Sequence, residues 1–314
     1  MASVTQTVNV KARRQASRTQ WRSWMNSYSM LAPFLILFAI FVVWPILQSG
    51  YLSLTKYTLI KPPEFIGVQN YLDVLQDTRF QKAMANVVLF VLGSVALNTV
   101  LGLTLALVFR QQGRMNQVLR TLFFLPAVTS SVSTGAIWRW IFNGEDFGLA
   151  NTVRHWLGLP SINWLSTAPL AVPIIILIAV WGGVGMSMIF FLAGLQGIPR
   201  ELTEAAAIDG ADGVRRLWYI TIPLLRPTFI YVLITGIIGA FQTFDTSYIV
   251  FSTVENVGGP LDSALFPVLY LYYRAFGRFQ MGYASAIAWI IFGIIVLFSL
   301  INLRVGRANE SDQA

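Results

Sequence analysis

Gln242, Thr243, Asp245 and Tyr248 put an amide, a hydroxyl, a carboxylate and a phenol ring into one short piece of an otherwise apolar run, and Trp181-Gly182-Gly183 interrupts an earlier one. Amide, hydroxyl and carboxylate groups bond to solute hydroxyls, while a ring such as Trp181 or Tyr248 stacks on the apolar face of a sugar. These residues, with Gly183, are therefore the candidate lining of a passage for a polyhydroxylated solute. Bond-making chemistry is poorly served. There is no cysteine, and the single histidine, His155, falls in a loop and reads as solvated or packed. The chain contains no GxxxxGK[ST] phosphate loop, no HExxH and no GxSxG. Thiolate catalysis, nucleotide hydrolysis and the common metal-assisted and serine hydrolyses thus lack their residues, and no catalytic or metal site is expected.

A second patterned stretch is polar. In residues 198–227, Pro199 suits a first helical turn, and Glu201 and Glu204 follow where negative charge complements the dipole. Leu202, Ala205 and Ala206 form a small apolar face. Asp209-Gly210 stops this helix, Asp212 caps a second, and Val214, Leu217 and Trp218 fall at i, i+3 and i+4 on it; Pro223 and Pro227 break the chain before the next apolar run. The pattern describes a helix-turn-helix at a membrane surface whose small knob suits a groove in another protein.

The elements that must position these residues are membrane spans. Of the 314 residues 55% are apolar and only 11% charged, with a mean hydropathy of +0.62, and the apolar runs exceed what a single soluble core buries. Runs near 30–51, 83–109, 118–142, 170–195, 228–251 and 283–303 each approach the ~20 residues that cross a bilayer. The net charge of +8 comes from Lys and Arg at the ends of these runs rather than along one face, which argues against nucleic acid. Placing both termini inside puts fourteen Lys and Arg inside against seven outside, so residues 198–227 are expected in the cytoplasm. Residues 1–28 read as a basic cytoplasmic tail, 29–304 as the transmembrane domain and 305–314 as a cytoplasmic C-terminal tail. Within the spans, Gly182, Gly183, Gly236 and Gly239 read first as packing residues, and so do Asn98, Gly102, Ser130, Ser131, Ser133 and Thr134. Arg139 reads as a snorkelling interface residue. Asp245 would cost about 2.5–3.5 kcal/mol at a span centre, so it is expected near the outer end, with Gln242 as its partner.

Glu204-Ala205-Ala206, Asp209-Gly210-Ala211 and Ile220-Thr221-Ile222-Pro223-Leu224-Leu225 resemble the EAA loop of ABC-importer permeases, particularly the carbohydrate-uptake branch with its maltose- and glycerol-3-phosphate-type inner-membrane permeases. One departure is Leu217, with Trp218 beside it, where that family often has Phe. Phe65-Ile66-Gly67 with Asn70-Tyr71, Leu125-Pro126-Ala127, Phe244-Asp245 and Gly258-Gly259-Pro260 extend the likeness over nearly all of residues 30–303. The resemblance implies an all-α, six-helix integral membrane protein with the type I importer permease fold and a cytoplasmic EAA coupling loop. It implies a non-catalytic subunit in a bacterial or archaeal-type plasma membrane, importing a sugar, oligosaccharide or related polyol. Implied partners are a second homologous permease, two nucleotide-binding subunits that use ATP and Mg, and an extracytoplasmic solute-binding protein. Glu201, Glu204, Ala205, Ala206, Asp209, Gly210, Ala211, Leu217 and Pro223 would meet the ATPase. A glycerol 3-phosphate or glycerophosphodiester permease is the alternative within the family. A self-sufficient secondary transporter is the alternative outside it, though the repeats and coupling-ion residues such a protein needs are weak or missing.

Overall fold

The computed structural model describes residues 28–208, 211, 213–253 and 256–308; the basic tail, Asp209, Gly210 and Asp212 lie outside them. The chain divides into two units, Met1–Leu52 and Ser53–Ala314. The described part of the first belongs to helix α1 (Tyr28–Ser53), strongly apolar, with one π-helical stretch at Ala39–Val43. Pro45 lies just beyond it and has no N–H to continue the ladder, a recognised cause of such local irregularity.

The second unit opens with a feature beyond the all-helical expectation. Strands β1 (Thr55–Thr58) and β2 (Lys61–Phe65) pair antiparallel, Thr55 opposite Phe65, with a bulge before Thr58. Pro62 and Pro63 are tolerated because a two-stranded sheet is all edge. Gly67, at φ +62°, turns the chain into α2 (Gln69–Gln76). There buried Asn70 donates to the carbonyls of Ser53 and Thr55 at 2.8 and 2.9 Å, and the Tyr71 hydroxyl meets Ser53 Oγ at 2.7 Å. The Gly67, Asn70 and Tyr71 seen in sequence are thus the corner that fixes this hairpin against the next span.

Among the described residues, four helices are long and apolar enough to cross a bilayer: α1, α3 (Thr78–Val108), α7 (Ala171–Gln196, entered through a 3-10 turn) and α13 (Met281–Ala308). The expected total of six is reached when each of two bent pairs is taken as one span. The run 118–142 is α4 (Arg114–Phe124) with a 3-10 turn to Val128, then α5 (Ser131–Ile141) at 96° to it. Pro126 precedes the break, and Thr129 is extended at its centre. Helix α6 (Leu149–Trp156) follows in a polar connection.

After α7 come α8 (Arg200–Ile208), α9 (Gly213–Leu224, π-helical at Leu217–Thr221) and, bent by 66°, α10 (Arg226–Phe241). The run 228–251, expected as one helix, is not one. It stops at Phe241 and restarts as α11 (Asp245–Phe251), so Gln242, Thr243 and Phe244 form a break and not a stripe on a rod. The last turn tightens there, Gln242 N–H bonding to Ile238 and Gly239 carbonyls and Thr243 N–H to Ala240, while Asp245 favours a new helix start. A 3-10 turn (Pro260–Asp262) and α12 (Pro267–Tyr272) with a π-helical turn (Tyr273–Gly277) lead into α13.

Lipid is as apolar as leucine, so these helices associate through close packing. A Cβ on Gly102 of α3 would stand 2.6 Å from that of Ser187 on α7, and one on Gly93 would meet Ile176 at 2.5 Å. Gly185 lets the backbone of Phe123 and Phe124 lie directly against α7, and Gly194 leaves room for the side chains of Thr228 and Leu225. Around these crossings Val87, Phe90, Ile175, Ile178 and Phe241 are buried, with Phe90 edge-on to Phe266 at 5.3 Å.

Candidate functional site

Helices α3, α7 and α10 leave a cavity of about 420 Å³ between them, a volume suited to a small ligand. Its polar lining comes from Ser94, Asn98 and Thr99 on α3, Gly183 and Ser187 on α7, and Thr235, Gly236, Gly239 and Thr243 on or just after α10. The hydroxyls of Ser94, Thr99 and Thr235 donate to the carbonyls of Phe90, Val95 and Tyr231, each four residues back, at 2.7, 2.7 and 2.8 Å. With their protons committed, what they offer the cavity is acceptor lone pairs. Asn98 Nδ2 donates to Ser94 O at 3.0 Å, whereas its buried Oδ1 has no partner. A Cβ on Gly183 would come within 3.0 Å of that oxygen, so glycine there gives Asn98 its room. Among the described residues, no Lys, Arg, Asp or Glu lines the cavity.

Of the residues expected on the passage, Gly183 and Thr243 line this cavity. Gly236 and Gly239, read as packing residues, line it too; a Cβ on Gly239 would meet nothing within 4 Å. Trp181 faces elsewhere, edge-on to Trp138 of α5 at 5.7 Å, and Gln242 is exposed outside the lining. Asp245 is exposed at the start of α11, and its partner is not Gln242: Ser131 Oγ donates to Asp245 Oδ2 at 2.8 Å, tying the break in one bent span to the break in another. Tyr248 stacks on Phe244 at 5.3 Å. Arg139 does not simply snorkel; its Nη1 donates to Ile249 O at 3.1 Å and holds α5 to the end of α11. Asn98 and Ser131, read from the sequence as packing residues, stand instead on the cavity wall and on Asp245. An Asn inside an apolar span is a signal in itself, since its amide must find a partner, but only the fold shows which face Asn98 occupies.

At the hairpin end, Asp77 caps α3 by accepting Arg79 N–H at 2.9 Å. Its Oδ2 collects Arg274 Nη2 and the Tyr283 hydroxyl, both at 2.6 Å, and the Tyr270 hydroxyl. Burial opposes the charged carboxylate, but the hydrogen bonds from Tyr270, Tyr283 and Arg274 outweigh it and hold the Asp77 pKa at about 2. Burial, with the bond to Asp77, pushes the Tyr270 hydroxyl up to about 12. Alongside, Arg79 grips Asp262 through Nε at 2.8 Å and Nη2 at 2.5 Å, and Asn86 Nδ2 bonds to the carbonyls of Asp262 and Leu265, both at 2.9 Å. These pairs clasp the start of α3 to the segment leading into α13.

His155 proves to have partners, though not catalytic ones. Its Nε2 lies 2.7 Å from Ser161 Oγ, which donates to Asp146 Oδ1 at 2.5 Å. The carboxylate therefore holds the serine rather than the far nitrogen of the imidazole, and an exposed serine so bonded is not an activated nucleophile.

The description "binding-protein-dependent transport system inner membrane component" matches residues 98–309. The chain belongs to this family. Such a permease is also similar over its whole length to single proteins. The probable ABC transporter permease protein YesP of Bacillus subtilis (strain 168) is 37% identical over 288 residues, 91% of each chain. The arabinooligosaccharides transport system permease protein AraP of the same organism is 32% identical over 305 residues, 95% of each chain. A bacterial ABC transporter involved in the import of the acidic polysaccharide alginate shares the fold, with a TM-score of 0.80 over 94% of this chain and 99% of that one at 22% identity.

In the permease, the polar segment after α7 is helical where expected, but its small face is not the expected one. Ala206 is buried and accepts a bond from Ala211 N–H at 2.8 Å, whereas Ala205 is exposed. Glu201, Glu204, Ala205 and Ile208, at i, i+3, i+4 and i+7, make the outward face of α8. Leu217 and Pro223 are half-buried in α9, which also presents Val214, Trp218 and Tyr219 outward. Asp209 and Gly210, expected at the turn between the two helices, lie outside the described residues.

Proposed function

We propose that this permease forms half of the passage through an ATP-driven importer for a neutral sugar, oligosaccharide or related polyol. The observation that carries the solute class is the lining of the α3/α7/α10 cavity: hydroxyls whose protons are already spent, an amide oxygen with no donor, and no charge. Such a surface seeks hydrogen-bond donors and suits a solute rich in hydroxyl groups. A phosphate ester brings acceptors and negative charge, and nothing in the lining compensates either. The arabinooligosaccharide name of one relative agrees with this reading. The importer needs a second, similar permease, two ATPase subunits that use ATP and Mg and seat on residues 198–227, and an extracytoplasmic solute-binding protein. Both termini face the cytoplasm.

The cavity is tested by Asn98→Leu and Thr243→Leu. Each replaces an acceptor with a methyl-rich side chain, and each is expected to lower uptake by about tenfold, the consequence of ~1.4 kcal/mol of lost solute binding. The amount of permease in the membrane should not change. Wild-type transport by both cavity variants would assign the groove to helix packing alone. Orientation is read by alkaline-phosphatase fusions: one joined after Gly67 should be active and one after Ala211 inactive, and the reverse pattern would turn the coupling segment outward.

A further inference from the structure

One residue after the cavity lining, a ladder of rings begins. Thr243 lines the cavity and the next residue, Phe244, stacks on Tyr248 with ring centres 5.3 Å apart and planes 12° off parallel. Both rings meet Tyr272, at 5.1 and 5.7 Å, and Tyr272 meets Phe276 at 5.1 Å. Two one-turn pairs, 244 with 248 and 272 with 276, therefore join edge to edge into one strip. It runs from the break after α10 to the π-helical turn beside the Asp77–Arg274 clasp. The strip is not core: Tyr248 is 41%, Tyr272 37% and Phe276 58% exposed.

We infer that this strip is a saccharide-stacking track along which a sugar travels to or from the cavity, an inference that rests on the solute class proposed above. The C–H bonds on one face of a sugar ring carry partial positive charge, which the negative face of an aromatic ring attracts. Hydroxyls at the sugar's edge need polar neighbours, and exposed Gln242 and Asp245 flank Phe244 on either side. Lipid is the poorer occupant. The outward apolar surface of α3 is aliphatic, as at Leu89, Leu92 and Val100, and a carboxylate at the foot of the strip is unfavourable against hydrocarbon. A strip that starts one residue after cavity-lining Thr243, rings that follow one another, and polar groups at one end together fit a sugar chain.

The test uses the complete transporter in its own host, with the chromosomal gene replaced by variants, and radiolabelled arabinotriose and maltotriose as probes. Tyr248→Leu with Tyr272→Leu removes the rings and keeps the bulk; Tyr248→Phe with Tyr272→Phe keeps the rings and removes the hydroxyls. The leucine pair is expected to raise the KM for uptake by about tenfold, the scale of two lost stacking contacts, with normal membrane levels, and the phenylalanine pair to stay close to wild type. A leucine pair with wild-type KM overturns the track, and if Thr243→Leu is impaired in the same assay the proposed solute class survives without it. Loss of membrane level in both pairs overturns it in favour of a lipid or subunit contact. Uptake of neither sugar by the wild type removes the solute class, and the track falls with it.

Discussion

Ala205→Trp is expected to abolish the stimulation of ATP hydrolysis by the loaded binding protein while leaving the permease inserted at normal levels. Ala205 lies on the outward face of α8 between Glu204 and Ile208, where a short side chain admits close approach by a partner groove. An indole there displaces the helix by more than a bond length, and misplacements of that order cost on the order of a hundredfold in rate. Ala206→Trp makes the contrast. Ala206 is 5% exposed, so a large side chain overpacks the segment itself, and the permease should be lost from the membrane rather than uncoupled. Glu204→Ala should be mild, since an exposed ion pair contributes only about 0.2–1 kcal/mol. ATPase activity of the purified complex in lipid, with and without loaded binding protein, separates these cases. Full stimulation with Ala205→Trp would mean that the exposed face of α8 does not carry the coupling.

The second large effect is expected at the clasp. Asp77→Ala strands the Arg274 guanidinium, whose side chain is only 25% exposed, and also removes the cap on α3. Breaking one side of such a pair costs about 3 kcal/mol, the low end of the range for buried pairs because the clasp is partly open to water. Arg274→Met added to Asp77→Ala should cost less than the two changes summed, because the stranded charge goes with it. Acid gives the same information without mutation. The Asp77 pKa is about 2 when folded against 3.8 for the free side chain, so its contribution is fully present above about pH 4 and drains away as pH falls towards 2. After allowance for solvent screening this amounts to about 1–2 kcal/mol. Thermal unfolding in nanodiscs should therefore show the wild type losing stability between pH 4 and pH 2 beyond any loss in Asp77→Asn. Parallel curves would show that Asp77 carries no such linkage.

Much of this arrangement was legible in the sequence because membranes make hydropathy decisive. Each expected run overlaps a helix, and the polar segment after α7 folds as two short helices. What stayed hidden depends on partners far apart in the chain. Nothing local in Gln242-Thr243-Phe244 announces a break, as it contains neither Pro nor Gly; packing of α11 on α5, with Ser131 bound to Asp245, accompanies the restart. Pro126 precedes the α4/α5 break, but a proline in a span more often bends than interrupts it, so 118–142 reads as one run. Pro62-Pro63 hides β2 from the sequence, because proline is rare in strands and only an all-edge hairpin accepts it. Asp77 and Arg274 are nearly two hundred residues apart, so no periodicity links them. The inward turn of Ala206 was equally invisible, since alanine fits either face of a helix.

Reconstitution into proteoliposomes, with the ATPase subunits, second permease and binding protein that the proposed function requires, tests that function most directly. Labelled neutral oligosaccharide should accumulate only when ATP, Mg and binding protein are all supplied, and accumulation should fail when this permease is omitted. Accumulation of glycerol 3-phosphate in preference to any neutral saccharide, or accumulation driven by an ion gradient without ATP, would contradict it.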